Sequence, residues 1–154
     1  MGVYIFANGE RYEGELQFGA KNGRGIYFYV NGNRYEGGWQ DDKKNGDGIY
    51  FYLNTGEKYE GEWYNGEKQG KGVYHYAYGD EYVGLWEGGE RNGKGVLSYA
   101  SGAKYEGLWQ NDKANGKGIM VYPNQDRYEG TWSDGEKCGQ GIYFFSDGSN
   151  YDGM

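Results

Sequence analysis

The chain has 154 residues, with 23 acidic groups against 16 basic ones and a net charge of −7. That balance argues against non-specific nucleic-acid binding, which needs cations to displace the counterions around phosphate, and it disfavours attraction to anionic lipid. With 32 glycines and 19 tyrosines but a single proline, the composition does not suit an aliphatic globule, so apolar surface has to be buried by rings packing on neighbouring rings and glycines.

From the N-terminus, a short strand through Val3 runs into the turn Ala7-Asn8-Gly9, and Tyr12 then opens a pattern that returns along the whole chain. Its leading tyrosine recurs at Tyr12, Tyr35, Tyr59, Tyr82, Tyr105, Tyr128 and Tyr151, in steps of 23 residues with one of 24. A fixed period of this length marks a repeat architecture. The first six tyrosines are each followed eleven residues later by a glycine (Gly23, Gly46, Gly70, Gly93, Gly116 and Gly139), a second glycine two residues on, and then a β-branched residue (Ile26, Ile49, Val73, Val96, Ile119 and Ile142). Three residues further comes an aromatic: Tyr29, Tyr52, Tyr76, Tyr99, Tyr122 and Phe145. None of this follows a helical spacing. Short runs of Ile, Val, Tyr and Phe punctuated by Asn-Gly or Asp-Gly read as strands and hairpins.

The fold class expected is therefore all-β: an elongated, single-layer antiparallel meander of stacked β-hairpins, about 14 short strands, twisted, with an aromatic groove. Residues 1–154 are read as one array of about six full repeats with partial units at both ends. The triplets Val30-Asn31-Gly32 and Ser146-Asp147-Gly148 suit three-residue hairpin loops with a bulge glycine. Leu53-Asn54-Thr55-Gly56 absorbs the one longer step, and Asn124-Gln125-Asp126, lacking glycine, is expected to be the least regular turn. The other connection, such as Gln40 to Asn45, reads as a longer polar lip. It carries the cations Lys21, Lys44, Lys68, Arg91, Lys113 and Lys137, expected to be solvated.

A three-residue loop at 30–32 pairs Tyr29 with Asn33 and Tyr27 with Tyr35. This puts Tyr27, Tyr29, Tyr35, Gly37 and Trp39 on one face, and Ile26, Phe28, Arg34 and Glu36 on the other. The second face then also carries the charge pairs Arg11 and Glu13, Lys58 and Glu60, Lys104 and Glu106, and Arg127 and Glu129.

The motifs YEGEW (59–63), YEGLW (105–109) and YEGTW (128–132), each followed by a Gly-x-Gly segment, resemble those of MORN-repeat proteins (membrane occupation and recognition nexus) over essentially the whole chain. The resemblance implies stacked hairpins with an aromatic groove, and scaffolding at cilia, cell-division structures or membrane junctions. It also implies possible phospholipid binding, or service as a regulatory region of a larger enzyme such as a lipid kinase. Leu16 departs from it in place of Trp, Val83 in place of Glu (YVGLW, 82–86), and Leu97 and Met120 in place of Tyr. The chain starts and stops inside a repeat, which suggests a longer array, self-association through end strands, or partners over both ends.

Catalysis needs a locally unique constellation, and near-identical repeats offer none. The Gly-x-Gly units lack the helix a phosphate loop requires. His75 stands at a position otherwise held by phenylalanine, and the lone Cys138 is placed in a loop without a base nearby, which gives neither a metal site nor a disulfide. No enzyme activity, cofactor or metal is expected, and the default setting is cytoplasmic, with a cytoskeleton, cilium or flagellum the first expectation from the resemblance. The expected function is that of a scaffold holding a partner helix or extended segment in the groove. Trp39, Trp63, Trp86, Trp109 and Trp132 would be the anchors, with Tyr29, Tyr52, Tyr76, Tyr99 and Tyr122 as floor or walls.

Overall fold

The computed structural model describes residues 1–153, and it is all-β as expected, with fourteen strands and no helix among the described residues. It forms two compact units, the first ending at Ala77 and the second beginning at Tyr78. The first holds β1 (Gly2–Ile5), β2 (Arg11–Gln17), β3 (Ala20–Phe28), β4 (Arg34–Gln40), β5 (Lys43–Tyr52), β6 (Glu57–Tyr64) and β7 (Glu67–His75). The second holds β8 (Glu81–Glu87), β9 (Glu90–Ser98), β10 (Lys104–Gln110), β11 (Lys113–Val121), β12 (Arg127–Ser133), β13 (Glu136–Phe144) and β14 (Asn150–Gly153). In each unit consecutive strands pair antiparallel, so the chain advances as a meander.

The register is the one the three-residue loop requires. Tyr27 lies opposite Tyr35, the Tyr29 amide donates to the Asn33 carbonyl at 2.9 Å, and the Gly32 amide donates to the Tyr29 carbonyl at 3.0 Å. The extra residue at 53–56 stays in its turn, because Tyr50 still faces Tyr59 and Tyr52 faces Glu57. The 124–126 turn is a correction: it keeps the same bonds, Tyr122 N–H to Asp126 O at 2.8 Å and Gln125 N–H to Tyr122 O at 2.9 Å. Gln125 takes the left-handed conformation that glycine holds elsewhere, at φ 74°, and the Asn124 carboxamide steadies the turn by accepting the Asp126 amide at 3.0 Å.

The other connection is also corrected. It is no long lip but a two-residue turn with positive φ at both positions, such as Asp41 (46°) with Asp42 (67°) and Asn65 (52°) with Gly66 (93°). This is a type I′ geometry, whose twist matches that of the flanking strands. The repeat glycine placed in the loop by sequence, Gly46 for instance, sits beyond the turn in a bulge between Trp39↔Lys44 and Gly37↔Gly48. The cations and Cys138 therefore belong to strands.

Successive repeats are latched at their three-residue loops. The residue after one loop accepts the first backbone amide of the next: Leu53 to Asn33 at 3.0 Å, Ala100 to Asp80 at 2.8 Å, and Ser146 to Asp126 at 2.9 Å. Longer contacts of 3.4 Å join Val30 to Glu10 and Ala77 to Glu57. At the remaining step Pro123, which has no N–H, follows Ala103, which has no acceptor. Donor and acceptor are missing together, so no polar group is left unsatisfied.

Candidate functional site

The aromatic face is the core. Tyr12, Tyr35, Tyr59 and Tyr82 are fully buried. Each hydroxyl donates to the carbonyl three residues on, Tyr35 to Gly38 at 2.9 Å and Tyr82 to Leu85 at 2.9 Å. The rings lie flat over the paired glycines. An added Cβ at Gly25 would stand 2.3 Å from the Tyr12 hydroxyl, and at Gly95 2.2 Å from that of Tyr82. Each Gly-x-Gly therefore makes room for a ring. Burial raises the phenol pKa, to about 12 for Tyr12 and Tyr105.

The tryptophans sit one residue before the ends of β4, β6, β8, β10 and β12, edge-on to these tyrosines. Trp39 meets Tyr12 at 5.6 Å and Tyr35 at 5.1 Å, and Trp132 meets both Tyr105 and Tyr128 at 5.0 Å. Their indole N–H groups donate inward, Trp63 to the Gly48 carbonyl at 3.1 Å and Trp109 to that of Gly95 at 3.2 Å. Exposure is 4–7% for Trp39, Trp63, Trp86, Trp109 and Trp132, so a partner on this face meets ring edges. Tyr29, Tyr52, Tyr76, Tyr99 and Tyr122 are half-buried at or just beyond the ends of β3, β5, β7, β9 and β11. In the first unit they extend the ring ladder, with Tyr29 5.5 Å from Tyr50 and Tyr52 5.9 Å from Tyr74.

The cations expected to be solvated lie over these rings. Across each two-residue turn, the residue opposite the tryptophan is basic at Lys44, Lys68, Arg91 and Lys137, and Lys21 stands likewise opposite Leu16. The Lys44 ammonium is 4.4 Å from the centre of Trp63 and 4.7 Å from that of Tyr50, and the Arg91 guanidinium is 4.4 Å from Trp109. Ring faces attract such cations. Burial, and secondarily the charge of Lys68, lower the Lys44 pKa to about 8. Lys113 does not share this position; it is exposed, and Ala114 stands opposite Trp109 instead. Counting basic residues by type picks its neighbour, and counting from the tyrosine picks Ala114.

The reverse face carries the expected charge pairs, Arg11 to Glu13 at 3.1 Å and Arg127 to Glu129 at 2.9 Å. The same arginines lie over phenylalanines, Arg11 over Phe28 at 4.3 Å and Arg127 over Phe144 at 4.4 Å. In the second unit this face holds a groove of about 980 Å³, with Val83, Val96, Leu108, Ile119 and Ile142 along it. Val83 is 46% exposed, and Leu108 and Ile119 are each 37% exposed. Two departures from the repeat bring apolar side chains to it: Val83 replaces a glutamate, and Leu108 stands where the first unit has Glu15 and Glu62. Those glutamates accept backbone amides, Arg24 to Glu15 at 2.9 Å and Lys71 to Glu62; Leu85 and Leu108 at the same position instead lie over Gly93 and Gly116, where an added Cβ would stand 3.1 Å from the leucine Cδ1. The departure at Val83 was visible in sequence, but its coincidence with Leu108 in one groove was not. Among the described residues no cluster of His, Cys, Asp or Glu could hold a metal ion.

The MORN-repeat family model matches residues 1–11, 12–34, 35–54, 59–81, 82–104, 105–127 and 128–150. No curated protein matches the chain in sequence. Among solved structures, it is similar to the TCP domain of SAS-4 (dCPAP) from Drosophila melanogaster, in complex with a proline-rich motif of Ana2 (dSTIL). The identity is 11%, over 99% of this chain and 82% of that one, with a TM-score of 0.60. A mutant TCP10 domain of Danio rerio CPAP is 15% identical over 99% of this chain and 82% of its own, at a TM-score of 0.35. The first of these likenesses is one of fold. The repeat matches take in almost every residue, with the glycine pairs under each tyrosine as their physical counterpart, and the chain belongs to the MORN-repeat family.

Proposed function

We propose that this chain is a non-catalytic scaffold, or adaptor, that holds a segment of a partner protein in a cytoskeletal or ciliary assembly. The observation that carries this is the apolar groove on the reverse face of the second unit. Aliphatic side chains left open beside a sheet that already has its core on the other face mark a binding surface. The occupant that fits is an amphipathic helix crossing the strands. Exposed Lys94 and Lys117 border the groove, two strands or about 9.6 Å apart. Carboxylates seven residues apart on a helix lie about 10.5 Å apart and face the same way. That a protein of this fold is found with a bound proline-rich motif supports a peptide segment as the ligand.

A second reading places the partner on the aromatic face, against the half-buried row Tyr29, Tyr52, Tyr76, Tyr99 and Tyr122 and the edges of the tryptophans. The two faces separate by mutation. Val83→Glu with Leu108→Glu restores residues the fold carries in sister repeats, such as Glu60 and Glu62, so this variant keeps its structure. Cytoskeletal proteins captured by the wild-type chain should be lost with that pair and kept with Tyr99→Ser/Tyr122→Ser. The opposite pattern moves the site to the aromatic face. Recovery of anionic vesicles alone, by all three forms, replaces the scaffold reading with a lipid-directed one.

A further inference from the structure

In every full repeat but the fifth a cation lies over rings, opposite the tryptophan or, in the first, opposite Leu16. In the fifth, Ala114 is buried, and a cavity of about 380 Å³ opens beside it, lined by Trp132, Tyr105, Tyr99, Tyr122 and Met120. Two of its three walls match those of the sister sites, and Met120 stands where the third has a tyrosine ring. Lys44 lies over Tyr35, Tyr50 and Trp63, and by repeat position these correspond to Tyr105, Met120 and Trp132. The tyrosine and tryptophan walls remain, and the cation that this repeat's own strand would supply is replaced by Ala114.

We propose that the cavity beside Ala114 is a recognition site for an alkylammonium group, the lysine side chain of a partner protein, which takes the place that the chain's own Lys21, Lys44, Lys68 and Lys137 take in their repeats. The electron-rich ring faces attract the charge, and the stem of the incoming side chain covers Ala114. Exposed Glu136 at the lining adds a carboxylate. Lys137 also lines the cavity, with its ammonium held by the hydroxyls of Tyr122 and of Tyr143, the latter at 2.6 Å. Its charge does not bar a second cation. The same array already sets cations at every second strand, about 10 Å apart.

The site does not depend on which face holds the scaffold's partner, so the test uses a small probe and no partner. The full chain is titrated with n-butylammonium and, separately, with n-butanol, while the indole N–H of Trp132 and the amide of Ala114 are followed by NMR. The expected result is saturable shifts with the ammonium and affinity about tenfold weaker for the alcohol. Ala114→Lys, which restores the sister residue and so keeps the fold, should abolish the response and raise the melting temperature. Ala114→Met, which fills the space without charge, should abolish the response as well. Equal binding of ammonium and alcohol, no binding of either, or an unchanged response in Ala114→Lys would each overturn the assignment.

Discussion

A Cβ at Gly48 would stand 2.3 Å from the hydroxyl of Tyr35, and that ring has nowhere to retreat. Trp39 and Trp63 hold it edge-on from both sides, at 5.1 and 5.2 Å. Gly48→Ala is expected to lower unfolding free energy by about 3 kcal/mol, measured by urea denaturation of the full chain; a loss under half of that would mean the ring can shift. The reverse holds at Gln125, whose φ of 74° strains a side chain that gains nothing there. Gln125→Gly should stabilise by about 1 kcal/mol, read in the same denaturation series. The glycine pairs and their rings were legible in sequence because both recur at fixed offsets from the tyrosine. The cation cage was not, because Lys113 stands one residue before the position that Ala114 holds, and a lysine in either place reads alike until strand pairing fixes which one faces the rings.

Among the hairpins, the three-residue loops were legible from Asn-Gly and Asp-Gly at constant spacing, and their register followed from them. The two-residue turns were hidden. Asn65-Gly66 and Asp134-Gly135 carry the type I′ signal, but Asp41-Asp42 and Phe18-Gly19 share the conformation without the usual pair of residues. The latch between loops explains the chain's single proline. Pro123 costs the fold no hydrogen bond because Ala103 offers no acceptor. Pro123→Ser should therefore do little alone, whereas Ala103→Asp, which puts an unpartnered carboxylate at a buried position, should cost stability. Together they should rebuild the bond seen between Asp80 and Ala100, with a favourable coupling of about 1 kcal/mol in a double-mutant cycle. Strict additivity would show that the latches contribute nothing to stability.

For the whole molecule, buried titratable groups set opposing pH dependences. Lys44 titrates at about 8 when folded and at about 10.4 when unfolded. Between those values the unfolded chain binds the extra proton, so this group makes stability rise with pH. The tyrosines act the other way. Unfolded phenols ionise near pH 10, while Tyr12, Tyr27 and Tyr105 hold their protons to about 12, so stability falls as pH rises through that window. The urea midpoint should climb slightly from pH 8 towards 10 and then drop steeply. Lys44→Met should remove the climb and leave the drop, and a flat profile in the wild-type chain up to pH 10 would refute the buried-ammonium account. In either unit, substantial contacts join only consecutive strands, so stability accumulates step by step. For the gene, this means that a copying slip which duplicates or deletes one repeat leaves every surviving strand beside a partner of the same kind as before. The ladder grows or shortens by a hairpin, with no distant contact to repair, and single repeats such as the one around Ala114 are free to diverge towards a ligand of their own.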